Sequence, residues 1–425
     1  MDTSTDQITS AVRRQYEDFP YPQRDPDDEN RRLARTALSG LDVINHYGYR
    51  GRRDFRDGFR VLVAGGGTGD ATVYLAHQLR DTDASIVYVD LSRASMRIAQ
   101  QRAAVRGLEN IRWIHGSLLD LPAMGLGEFD YIECSGVLHH LADPTAGLRT
   151  LVDVLADGGA MFVMVYARYG RTGVYQMQEL MRRINFGESD PHVKVENTRA
   201  VLGSLPATNW FRRAEEMFHD QHWASGAGVY DLFLHARDRA YSVPELYEWL
   251  DSCGLNLIQF ELQTRLLYKP ETHLDDEGLL ARISGMPLRR QQAIGELLSG
   301  AIRKHSFLAS PHRDTVASLR DLDNVPFFRE EVIDRQTVAR ILGSPTWVFT
   351  VPSRPNLTIA PGKYTRAAFQ HIDGRRSLRE VLKLAARAFR IRPSRNEVLA
   401  QFAPAFEAVR EWGDLLLLRH PSSRK

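Results

Sequence analysis

The strand-like run Arg60-Val61-Leu62-Val63-Ala64 breaks into Gly65-Gly66-Gly67-Thr68-Gly69, and about 20 residues later a second apolar run, Ile86-Val87-Tyr88-Val89, closes on Asp90. No other feature of the chain narrows the choice of fold as far. Glycine has no Cβ, so Gly65, Gly67 and Gly69 let the backbone bend sharply and approach a bound molecule. A carboxylate at Asp90 can accept hydrogen bonds from two ribose hydroxyls. A helix starting near Asp70 would turn its free N–H groups toward the same place. The arrangement suits a nucleoside.

Spacing separates the nucleoside classes. A dinucleotide fingerprint needs G-x-G-x-x-G, but counting from Gly65 puts Asp70 where the third glycine belongs, and its charge would face a pyrophosphate. A phosphate-binding P-loop ends in Gly-Lys-Ser/Thr, a triplet this chain lacks. What remains is G-x-G-x-G.

From residue 58 to 167 strands and helices alternate. Ala71 to Arg80 and Arg93 to Gly107 fit helices, the second stopped by Gly107. Asp143-Pro144 reads as an N-cap followed by proline at the first helical position, opening a helix to about Ala156. Alternation with near-continuous apolar strands predicts an α/β fold, a doubly wound, mostly parallel sheet covered on both faces. Ligands of such sheets lie outside the carboxyl ends of the strands.

These residues resemble the class I S-adenosylmethionine-dependent methyltransferases. Val61 to Gly69 is similar to that family's first motif, Ile86 to Leu91 to its second, Ile111 to Pro122 to its third and Phe129 to Leu141 to its fourth. Leu155 to Ala160, followed by Met161 to Val165, resembles the turn and fifth strand. The resemblance implies a Rossmann-like core and S-adenosyl-L-methionine as cofactor. It places Gly65, Gly67 and Gly69 by the methionine part, Asp90 on the ribose, Leu91, Ser117 and Leu118 on the adenine, and Cys134 and Ser135 near the sulfur. One departure is Val63, where many members carry an acid; backbone carbonyls or Asp70 would then have to meet the cofactor's amino group.

Around this core the chain divides further. Residues 1–50 form an aromatic segment whose Tyr16 and Tyr21 either line the site as a lid or pack on the surface; residues 51–170 are the cofactor-binding core. Residues 171–240 read as a helical insertion that holds the acceptor, with Trp223 and His235 as substrate contacts, and residues 241–270 return to the sheet through Leu255 to Leu262. Residues 271–345 read as a helical linker. Residues 346–425 form a smaller α+β domain, in which Asp373-Gly374-Arg375-Arg376-Ser377 resembles the turn and helix of winged-helix, PqqD-like peptide-recognition domains. The same residues also fit an ordinary turn with a capping box.

Methyl transfer depends chiefly on alignment. If the acceptor must lose a proton, His139, His140 and Tyr166 are the candidate catalytic residues, since histidine titrates near neutral pH; the two histidines would serve equally as packing or capping groups. Asp238 is a further candidate, and no carboxylate cluster shows metal-ligand spacing along the sequence, so no metal is expected.

A formal charge of +2, from 55 basic and 53 acidic side chains, argues against bulk attraction to nucleic acid. Cys134 and Cys253 are too few for a disulfide framework, the N-terminus lacks an apolar signal core, and no run of about 18 apolar residues predicts a membrane span. The expected location is the cytoplasm. Accessory regions of this size resemble those of bacterial protein-lysine methyltransferases and point to a protein or peptide acceptor; a small-molecule acceptor and a noncatalytic cofactor sensor remain open.

Overall fold

Five strands carry the motifs: β1 (Arg60–Ala64), β2 (Ser85–Asp90), β3 (Ile111–His115), β4 (Phe129–Ser135) and β5 (Leu155–Ala167). The computed structural model describes residues 3–36, 39–218, 225–350 and 356–423. With β6 (Ala240–Tyr241), β7 (Asn256–Phe260) and β8 (Lys304–Ser310) the five strands build an eight-stranded sheet of order β3-β2-β1-β4-β5-β8-β7, β6 pairing with β5. The pairs among β1 to β6 are parallel, whereas β8 runs antiparallel to both β5 and β7.

The helices follow from local chemistry. Gly69, at φ +96°, leads into the helix Asp70–Leu79, and the Ser92 hydroxyl caps Arg93–Val105 by accepting from the Ser95 N–H. Asp143 caps Pro144–Asp153 in the same way. Leu62, Ala64, Ile132, Cys134, Val163 and Phe307 project to one sheet face and join Leu148, Leu246 and Leu250 in the main core. Alternation then sends Val63, Glu133, Phe162 and Met164 to the other face. In the insertion, helices Thr172–Ile184, Pro191–Ser204 and Gly226–Phe233 enclose a separate small core of Val174, Met177, Phe211, Phe218 and Phe233.

Three expectations are corrected. Residues 271–345 are no helical linker: after helices Glu277–Ser284 and Leu288–Ser299 the chain supplies β8, the strand on which β7 pairs. Asp157-Gly158-Gly159, expected as a turn between helix and strand, lies inside β5, where the register with β4 shifts between Phe129 and Tyr131. The N-terminal segment is not one unit, because residues 40–56 group with residues 312–425 and the remainder with residues 57–311.

The second unit, Gly40–Arg56 with His312–Lys425, has its own core. Trp347 packs on Phe369, which packs on Phe402, between helices Lys363–Phe369 and Arg395–Gly413. β9 (Val325–Phe328) pairs antiparallel with β12 (Leu416–Arg419), and β10 (Trp347–Phe349) with β11 (Leu357–Ile359). Helix Leu41–Gly48 is held by the Tyr47 hydroxyl donating to Asp414 at 2.6 Å and by His46 Nδ1 at the Leu418 backbone. Asp373 accepts from the N–H groups of Arg375 and Arg376, and Ser377 with Glu380 forms a capping box, as the turn reading expects.

Candidate active site

All of the motif strands end on one cavity of about 600 Å³. Its wall takes Gly65, Gly67 and Gly69 after β1, Asp90 and Leu91 at the end of β2, Ser117 and Leu118 after β3, and Ser135 at the end of β4. The glycine turn and the acid are in direct contact, for the Gly67 N–H donates to Asp90 Oδ2 at 2.8 Å and the Ser92 N–H to Oδ1 at 2.7 Å. Each Asp90 oxygen thus keeps one acceptor position for a vicinal diol. Burial raises the Asp90 carboxyl, opposed by these two N–H groups. Gly67, at φ +51°, is strained for any side chain, and a Cβ would stand a tight 3.1 Å from the Tyr21 carbonyl.

The N-terminal segment is fastened over this turn. Buried Arg102, 1% exposed, donates to Glu29 and Asp70 and to the Thr68 carbonyl, each contact at 2.7 Å. Arg24 adds a bidentate pair to Asp70 at 2.8 and 2.6 Å, and Glu17 accepts from the Arg93 and Ala94 N–H groups at the start of their helix. Burial alone would raise the Asp70 carboxyl, but Arg24 and then Arg102 hold it below its ordinary value. Asp70 is therefore already paired with two guanidiniums, Oδ1 accepting from both and Oδ2 from Arg24, which leaves it a poor counter-charge for a cofactor ammonium.

On the insertion side Tyr16, Tyr166, His140, Arg171 and Asp231 share the wall, and Tyr21 lines the cavity beside the glycine turn. The Tyr16 hydroxyl donates to Asp231 Oδ1 at 3.3 Å and the Tyr166 hydroxyl to Oδ2 at 3.2 Å. Burial raises the Asp231 carboxyl to about 6, with Arg171 and the two hydroxyls opposing. His140 goes the other way: burial lowers it to about 4, although its Nδ1 donates to the Arg237 carbonyl at 2.8 Å. Arg171 lies 3.5 Å over the Tyr166 ring and reaches Asp238, which accepts also from Gln178 at 3.0 Å.

Several expected residues lie elsewhere. Cys134, one residue before Ser135, points to the opposite sheet face and is fully buried in the core, so strand alternation removes it from the cofactor side. His139 is buried between His140 and Tyr166 off the cavity wall, its ring nitrogens without hydrogen bonds among the described residues. His235 is also behind the wall, stacked on His140 at 3.7 Å with Nε2 3.3 Å from the Tyr16 hydroxyl. Trp223 falls outside the described residues.

Folding also brings ligand atoms of His140, Asp231 and His235 within 4.8 Å of one another from separate segments, a grouping that spacing along the sequence does not show. Their geometry is that of a hydrogen-bonded stack. The imidazoles are 16° from parallel, which sets their in-plane lone pairs side by side, and His235 Nδ1 already accepts from the Arg237 N–H at 3.2 Å. Asp231, Arg171, Arg102 and Glu133, another wall residue, were missed by sequence reasoning, since nothing local marks them.

Residues 62–161 match the family described as methyltransferase domain. The chain is 34% identical over 272 residues to the uncharacterized protein syc1184_c of Synechococcus sp., covering 61% of this chain and 62% of that one. It is 33% identical over 112 residues to tRNA 5-carboxymethoxyuridine methyltransferase of Escherichia coli, covering 26% of this chain and 41% of the enzyme. The chain therefore spans less than two thirds of either relative. Among solved structures, PKMT2 from Rickettsia typhi in complex with AdoHcy superposes with a TM-score of 0.62 at 17% identity, covering 91% of this chain and 76% of that one, a likeness of fold. Residues 62–161, carried on this sheet, are thus a methyltransferase domain.

Proposed function

We propose that the protein transfers a methyl group from S-adenosylmethionine to a side chain of a protein or peptide. The observation that carries the transferase reading is the continuity of one cavity from Asp90 and the glycine turn to Asp231, Tyr16 and Tyr166. Asp90 would hold the ribose, Ser117 and Leu118 the adenine, and Gly65 to Gly69 the chain between. When bound, the cofactor supplies an electrophilic methyl on a sulfonium. Asp231, ionised at neutral pH with a carboxyl near 6, would orient a cationic acceptor and take its proton. His140, neutral with a value near 4, is a weaker base and serves as a wall. Support for a macromolecular acceptor comes from the insertion, which has its own core and leaves Phe186 91% exposed.

A second reading, a small metabolite as acceptor, is supported by Tyr16 and Tyr21 on the cavity wall. Calorimetric titration with S-adenosylmethionine and S-adenosylhomocysteine tests the site, which Asp90→Ala should weaken. Incubating the enzyme with radiolabelled cofactor and cell lysate then tests the acceptor: label in the protein fraction is expected, and label confined to small molecules would replace the first reading by the second.

A further inference from the structure

The cofactor's methionyl part carries an ammonium, and a buried ammonium needs a counter-charge. The Asp70 charge is already matched by two guanidiniums, and Asp90 and Asp231 are engaged at the two flanks of the cavity. The remaining carboxylates on the wall are Glu133 and Glu261. Glu133 on β4 is the direct register partner of Val63 on β1. Cross-strand partners present their side chains on the same face, so the carboxyl stands beside the apolar residue at the end of β1.

The Glu133 carboxyl is 2% exposed. Its Oε2 accepts from the Ser39 hydroxyl at 2.9 Å and the Tyr131 hydroxyl at 3.3 Å, while Oε1 has no hydrogen-bond donor among the described residues. No cation pairs with it there. Such a group is costly to leave ionised and ready to receive a cation.

Resting on the reading of the cavity as an S-adenosylmethionine site, we propose that Glu133 receives the amino group of the cofactor's methionyl part, replacing the acid that Val63 displaces from β1. The groups around it fit this role. Tyr131 on its own strand and Ser39 from the N-terminal segment donate to it, Glu261 after β7 repels its charge, and Lys304 on β8 shares the cavity wall. Burial first, then Glu261, pushes the carboxyl up to about 8, against the two hydroxyls.

The test compares S-adenosylhomocysteine with 5′-methylthioadenosine, which keeps the nucleoside and lacks the amino-acid part. Glu133→Gln should weaken the first by about tenfold or more, the loss expected for a charge-assisted hydrogen bond, and leave the second within about twofold. Equal weakening of both, or of neither, overturns the proposal. In wild type the affinity for S-adenosylhomocysteine should rise from about pH 6 to about 8, with proton release seen as a dependence of the calorimetric heat on buffer ionisation. A wild-type affinity flat over that range, without proton release, overturns it as well, even if the variant does not fold. Failure of the wild type to bind either nucleoside would instead remove the cofactor reading beneath it.

Discussion

Asp231 carries a prediction of its own. Its carboxyl is raised to about 6, so the ionised form is lost as pH falls below that value. Accordingly kcat/KM should climb between about pH 5 and 7 and level off above, and Asp231→Asn should lose this limb while S-adenosylhomocysteine binds as in wild type. Glu133 makes the complementary case in stability. Its folded value, near 8, exceeds the unfolded one, so its contribution is full below about pH 4.5 and is lost as pH rises through 8. Thermal melting of the ligand-free protein should decline over this window, and Glu133→Gln should flatten the decline. Gly65, Gly67, Gly69 and Asp90 are legible in the sequence because their chemistry lies in a short segment and its spacing. Glu133 and Asp231 are not, because one matters through a strand partner and the other through tyrosines 215 and 65 residues away.

Among the elements, the helix Leu288–Ser299 shows how tightly the late part of the sheet is built. A Cβ on Gly295 would fall 2.2 Å from the Tyr268 carbonyl, and the next residue, Glu296, accepts from the Val243 N–H at 2.8 Å. Gly295→Ala should cost about 1–3 kcal/mol in denaturant unfolding, because backbone cannot yield as a side-chain tip would. Arg102→Ala should cost more, about 3–5 kcal/mol, by leaving Glu29 buried without its main partner, and should weaken nucleoside binding through the freed glycine turn. The early strands were legible from their apolar runs and glycine stops. β8 was not: Lys304-His305-Ser306 opens it with polar residues, and its place between β5 and β7 buries His305 and Ser306. The bulge in β5 was missed for a related reason, since Asp157-Gly158-Gly159 is turn chemistry that pairing with β4 overrides.

For the molecule as a whole, the second unit is discontinuous in sequence, which no local pattern announces. Helix Leu41–Gly48, whose Val43, Ile44 and Tyr47 are buried, is fixed in that unit through Tyr47 on Asp414 and His46 on the Leu418 backbone. A chain ending at Pro311 would leave that helix without β12 and Asp414, and should bind more of a hydrophobic dye and scatter more light than the full chain. Tyr16 has the widest consequence. Its carbonyl accepts from the Ser92 hydroxyl, two residues from Asp90, while its hydroxyl rests on Asp231. On the proposed reading, donor and acceptor would meet at this one aromatic residue. Any coupling carried by Tyr16 would be reciprocal, each ligand altering the other's affinity by an equal factor, which titration of one in the presence of the other measures.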